Sequence, residues 1–158
     1  NLKIEQLKNA GINADHVAFV TVDFQTESWS DKLKAAGYDP SKKTIFLWEG
    51  VTLYISEQDV RHTLRELKVN APAGSVLVTD IYALSFVSGE YEPRMKPAYQ
   101  ALKITDEELG FGLDFSSDHH QSLKTFVESE GLKLGETYFM AEKLEKGSYM
   151  VVAEILIE

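Results

Sequence analysis

The sequence predicts an α/β fold, in which parallel strands joined by crossover helices are followed by a C-terminal antiparallel hairpin. Three observations point to it. Apolar runs alternate with helically spaced segments from residue 2 to residue 82, the order that gives a parallel sheet with right-handed crossovers. Three of those runs end on an acid: His16–Asp23, Thr44–Glu49 and Gly74–Asp80. Near-continuous apolar runs are what strands look like when both faces are covered. Two later runs, 133–143 and 148–157, flank Glu145-Lys146-Gly147, a hairpin signal.

The elements follow in order. Residues 2–10 read as a helix, with Ile4 and Leu7 three apart and Gly11 as its stop. A first strand is expected over 16–23. Trp29, Leu33 and Ala36 share one helical face, closed by Gly37, and Asp39-Pro40 marks a turn. A second strand is expected over 43–49. Ser56 with Asp59 approximates a capping box, and Val60, Leu64 and Leu67 form the buried stripe of a helix running to about residue 70. After Pro72 and Gly74 a third strand is expected over 75–81. Residues 83–116 are irregular, with a helical stretch near Lys96–Lys103. Ser117 is the expected cap of a helix that buries Leu123, Phe126 and Val127 and stops at Gly131.

Length and composition set outer limits. At 158 residues the chain reads as a single domain over 1–158. A net charge of −9 argues against nucleic acid as the partner. No apolar run approaches the roughly 20 residues that span a bilayer. There are no cysteines, so disulfides, thiolate metal sites and a cysteine nucleophile are excluded. A cytoplasmic protein is expected. The chain begins on Asn1 rather than Met, which reads as a trimmed product or a partial reading frame.

The chemistry-bearing positions are the strand ends. In a parallel α/β sheet, ligands bind outside the carboxyl ends of the strands. A carboxylate there is costly unless solvated or paired, so Asp23, Glu49 and Asp80 are expected to line a cleft. The plainer alternatives are an Asx-turn acid for Asp23 and a loop-pairing acid for Glu49. Trp48 reads as core. Gly110-Phe-Gly112-Leu-Asp114 imitates a cofactor loop, but it follows the acidic stretch Thr105–Glu108 rather than a strand. His119 and His120 are neighbours on a helix, about 100° apart, and are not expected to converge on one ion. No metal site and no Ser–His–Asp triad is expected, and the catalytic residues are left unassigned.

Three ordered stretches carry a family resemblance: VAFVTVDF with the following SWSDKLKAAGYDPSKKTIFLWEGVTLYIS, then APAGSVLVTDIY, then FGLDFSSDHHQSLKTFVESEGLKLGE. They resemble the leucine carboxyl methyltransferase family and its bacterial relatives, class I O-methyltransferases that use S-adenosylmethionine. The resemblance implies a Rossmann-like methyltransferase portion in which the first two strands and the glycine-rich cofactor loop are absent. It implies S-adenosylmethionine as cofactor, held weakly or not at all without that loop, and a small-molecule acceptor with a carboxylate or hydroxyl. It implies Asp23 and Phe24 beside the adenine, Glu49 near the methionine end, and Tyr54, Asp80 and Tyr82 on the acceptor side. The alternative is a non-catalytic remnant that binds a partner or self-associates. A nucleotide binder of another Rossmann-like family is disfavoured by the missing loop. Exposed strand edges invite pairing, so a homodimer is expected. The competing solution is closure of the sheet, with strand 16–23 directly beside strand 43–49.

Overall fold

The computed structural model describes residues 2–24, 26–92, 97, 100, 109–143 and 145–158. Helix α1 (Leu2–Asn9) is followed by α2 (Trp29–Ala35), strand β1 (Ile45–Trp48), a 3-10 turn (Thr52–Tyr54), α3 (Glu57–Asn70) and strand β2 (Val76–Tyr82). Then come the short α4 (Leu84–Val87), α5 (His119–Ser129), β3 (Lys133–Met140) and β4 (Met150–Leu156). The helical stretch expected near Lys96–Lys103 falls largely outside the described residues. No helix among them is long and apolar enough to cross a membrane.

The four strands form one sheet in the order β1-β2-β4-β3. β1 and β2 are parallel, as the crossover through α3 requires, while β4 is antiparallel to both of its neighbours. Tyr82 at the end of β2 and Met140 at the end of β3 both pair with Met150. The carboxyl ends of β1, β2 and β3 therefore share one edge of the sheet.

One face of the sheet holds the core. Leu77, Ile81, Val151, Ala153, Ile155 and Phe139 are buried there with Val60, Leu64 and Leu67 of α3 and Leu123, Phe126 and Val127 of α5. Each fully buried aliphatic or Phe side chain contributes about 1.5–3 kcal/mol. α3 starts as expected: the Ser56 hydroxyl accepts from the Asp59 N–H at 3.2 Å. α5 is capped by Asp118 rather than Ser117, its carboxylate accepting from the Gln121 N–H at 2.9 Å. Asp118 directly precedes the helix, so its carboxylate reaches the third helical amide, that of Gln121.

The expected strand at 16–23 is not formed. Val20, Val22 and Phe24 still turn inward, lining a cavity of about 190 Å³ with Trp29, Phe46 and Trp48. The run is therefore covered on one side only: Val17 and Phe19 stand exposed, and no described strand lies alongside. A strand exists only where a neighbour completes its hydrogen-bond ladder. Closure of 16–23 against 43–49 is therefore not seen, and β1 is an edge strand among the described residues. The hairpin differs too. β3 stops at Met140 and β4 begins at Met150, so the connection runs through 141–149 rather than a tight three-residue turn.

Helices α3 and α5 are joined by charge as well as packing. Glu130, at the end of α5, is buried, and its carboxylate accepts from Arg61 at 2.5 Å and Arg65 at 2.6 Å. Arg61 also lies 4.5 Å over the Phe126 ring. Burial pushes the Glu130 carboxyl up, but the two guanidinium groups more than offset this and hold it below its usual 4.5. A lowered folded value means a stabilisation that is complete above the unfolded value and lost as pH falls through the folded one. Glu130→Gln should cost about 1–3 kcal/mol at pH 7 by urea denaturation, and its deficit should shrink as pH drops below about 4.5. A deficit independent of pH would assign the loss to packing instead.

Candidate functional site

The edge formed by the carboxyl ends of β1 and β2 carries the candidate site. β1 ends at Trp48, Glu49 leaves the sheet, and Gly50 turns the chain at φ 68°, a left-handed backbone that favours glycine. Asp80 of β2 fixes this turn. Both oxygens of its carboxylate accept from the Gly50 N–H, at 3.1 and 3.0 Å. The Tyr82 hydroxyl donates to the same carboxylate at 3.2 Å, and the Thr52 hydroxyl donates to the Asp80 carbonyl at 2.9 Å. Asp80 is only 6% exposed, so its charge is taken up within the fold.

Glu49 is the opposite case. It is exposed, and among the described residues no side chain or backbone group partners its carboxylate. The Asp80–Gly50 contact holds the turn while leaving this acid free at the strand end, where a ligand can meet it.

The other predicted residues spread around this centre. Asp23 is exposed and accepts from the Thr26 hydroxyl at 2.9 Å, while its carbonyl accepts from the Glu27 N–H at 2.8 Å. It thus opens a turn. Phe24 packs on Trp48, ring centroids 5.8 Å apart, so it reaches the wall next to Glu49. Tyr54 ends the 3-10 turn, half exposed, close enough to act electrostatically on Tyr82. Tyr82 stacks on Phe86 at 5.3 Å, and Phe86 on Tyr149 at 5.6 Å. Burial first, then the Asp80 charge and hydrogen bond, push the Tyr82 phenol up to about 12. It is a proton donor at neutral pH and not a base.

The structure thus brings Glu49, Asp80, Tyr82 and Tyr54 to one edge, with Phe24 beside them, and leaves Asp23 in its own turn. It also supplies residues the sequence reading missed. The indole N–H groups of Trp29 and Trp48 and the Thr63 hydroxyl are buried in the cavity wall without a hydrogen-bond partner among the described residues. Aromatic content had marked Trp48 only as core, and Tyr149 lies in a segment with no motif of its own.

Two expectations about decoys are resolved by geometry. Gly110 and Gly112 serve close packing. A Cβ on Gly110 would lie 2.6 Å from the Ile55 carbonyl oxygen, and one on Gly112 would lie 2.8 Å from Leu84 Cα. The expectation that His119 and His120 diverge is overturned. Nε2 of His119 lies 3.0 Å, and Nε2 of His120 2.8 Å, from the same Oε1 of Glu142. Flexible χ angles in the first turn let the rings stack at 4.6 Å and 35° despite the 100° step between their Cα atoms.

Comparison with known proteins fits this frame. The model of the leucine carboxyl methyltransferase family matches residues 1–68. A Mycobacterium bovis (strain BCG / Pasteur 1173P2) protein bearing the provisional name S-adenosyl-L-methionine-dependent methyltransferase is 30% identical over 146 residues, 86% of this chain. The chain is similar to the leucine carboxyl methyltransferase family over residues 1–68 and to this relative over most of its own length. It spans 40% of the length of that mycobacterial relative. Among solved structures, a DUF574 family protein from Streptomyces avermitilis matches with a TM-score of 0.60 at 16% identity, over 89% of this chain and 55% of its own. An O-methyltransferase from neocarzinostatin biosynthesis, in complex with S-adenosylmethionine and 2-hydroxy-5-methyl naphthoic acid, matches with a TM-score of 0.57 at 12% identity, over 99% and 38%. These structural likenesses show the methyltransferase fold, with the β1–β2 pair and the β3–β4 hairpin as this chain's portion of the sheet.

Proposed function

We propose that this chain serves S-adenosylmethionine-dependent methyl transfer to a carboxylate or hydroxyl oxygen of a small molecule. The observation that carries the reading is Glu49, an exposed carboxylate without a partner among the described residues, held at the strand end by the Asp80–Gly50 contact. The family match and the methyltransferase name of its relative support it.

The residues present fit one side of such a cofactor. Glu49 can pair with the ammonium of its amino-acid end. The Phe24–Trp48 wall and the unpartnered indole donors suit a flat ring that bears hydrogen-bond acceptors. When bound, the cofactor supplies an electrophilic methyl group on a sulfonium sulfur. The chain's own part is positioning and exclusion of water. Tyr54 and Tyr82 stand on the acceptor side, Tyr82 as a hydrogen-bond donor, with Asp80 fixing its hydroxyl rather than touching the acceptor.

Among the described residues no glycine-rich loop lies between a strand and a helix, so a weak affinity is expected for this chain by itself. Titration with S-adenosylhomocysteine, followed by amide NMR, should shift Phe24, Glu49 and Gly50 with a dissociation constant no tighter than roughly 0.1 mM. Glu49→Ala should weaken binding further, by about 1–3 kcal/mol. Shifts confined to other parts of the chain would remove the reading. Micromolar affinity would show that the loop is not needed.

A second reading is favoured by the other face of the sheet. Ile45 and Leu47 on edge strand β1 are 79% and 71% exposed, and Tyr138 of β3 is 68% exposed on the same face. An apolar row beside an unpaired edge favours self-association. Sedimentation of dilute protein should show a homodimer that dissociates in Leu47→Lys. A monomer at all concentrations would refute it.

A further inference from the structure

The cluster at the start of α5 has no part in the reading above. His119 and His120 are the first two residues of α5, and Glu142 lies two residues beyond the end of β3. Their ligand atoms, two imidazole nitrogens and one carboxylate oxygen, all lie within 4.8 Å of one another. The imidazoles are held by apolar packing. Phe139 contacts both rings, at 4.6 and 4.4 Å between centroids, and Phe115 stands 6.2 Å from His119. The chain also bends to deliver the carboxylate. Ala141 has φ 63°, the left-handed region, and is the non-glycine residue found there among the described residues. An alanine adopts such a conformation only under strain, and strain of this kind collects at functional sites.

We propose that His119, His120 and Glu142 form a binding site for a divalent transition-metal ion of the zinc type. Two imidazoles and one carboxylate suit Zn²⁺, Co²⁺ or Ni²⁺, whereas Mg²⁺ and Ca²⁺ take sets made of oxygen alone. Each imidazole would bind through the Nε2 lone pair, with its proton on Nδ1. Ligand distances of about 2.0–2.1 Å place neighbouring tetrahedral ligand atoms roughly 3.4 Å apart. The Nε2–Oε1 spacings of 3.0 and 2.8 Å therefore need to open by only about half an ångström. Glu142 and His120 are exposed enough to make that movement.

Electrostatics allow it. A helix amino terminus opposes a cation, but Glu142 and the cap Asp118 set two carboxylates against that field. Three protein ligands leave a fourth position for water or an anionic group, as in zinc sites that bind substrate. The ion would tie the 141–149 connection to α5, on the same edge of the sheet as Glu49 and Asp80. The proposal stands apart from the methyl-transfer reading.

The test is titration of untagged protein with Zn²⁺ in a buffer that does not chelate it, by calorimetry and by the imidazole C–H signals in NMR. The expected result is one ion per chain, with the His119 and His120 signals shifting and those of His16 and His62 unmoved. His120→Gln and Glu142→Gln should each lower the affinity at least about tenfold, since outer partners of a site alone cost ~10–100-fold. His62→Gln should leave it unchanged, and Mg²⁺ should shift nothing. No binding up to about 1 mM, equal shifts at His16 and His62, or affinity indifferent to both substitutions would overturn the proposal.

Discussion

A carboxylate buried in a sheet cannot stand without donors, and Asp80 is where this fold meets that constraint. Its two oxygens take the Gly50 N–H and the Tyr82 hydroxyl, and its carbonyl takes the Thr52 hydroxyl. Through these bonds one residue of β2 fixes the chain leaving β1, the 3-10 turn after it and the aromatic group beside it. The geometry has a consequence for Glu49. With Gly50 pinned, the preceding residue leaves the strand end with its carboxylate in solvent. The two acids that look alike in sequence, each closing an apolar run, divide the work: Asp80 builds the edge and Glu49 faces outward from it.

The sheet shows the same division between closed and open surfaces. Its inner face is filled by α3 and α5 and tied by Glu130 to Arg61 and Arg65. Its outer face leaves Ile45, Leu47 and Tyr138 in water, and the β1 edge is unpaired among the described residues. The core therefore lies on one side only, while the chemistry-bearing groups gather along the edge where β1, β2 and β3 end.

Much of this was legible in the residues. The helical stripe Val60, Leu64 and Leu67, the cap Ser56 and the inward set Leu123, Phe126 and Val127 are local patterns, and local patterns survive into structure. The run 16–23 misled because a strand is a pairwise object. Its apolar run is real, and Val20, Val22 and Phe24 turn inward, but composition cannot say whether a partner strand lies alongside. The site was half legible. Glu49 and Asp80 could be found from strand ends, yet their separate roles depend on which acid reaches the Gly50 amide, a contact thirty residues apart in sequence. Glu142 was invisible as a partner of His119 and His120, because the contact needs the left-handed bend at Ala141.

The assignment of one acid to architecture and the other to a ligand can be tested most directly by urea denaturation of Asp80→Ala and Glu49→Ala beside the unaltered chain. Removing the Asp80 acceptor should cost about 1–3 kcal/mol, the range for a buried donor left unsatisfied. Removing the Glu49 carboxylate should change stability by no more than about 0.5 kcal/mol, as for an exposed side chain without partners. Equal losses in the two variants, or a neutral Asp80→Ala, would contradict the account.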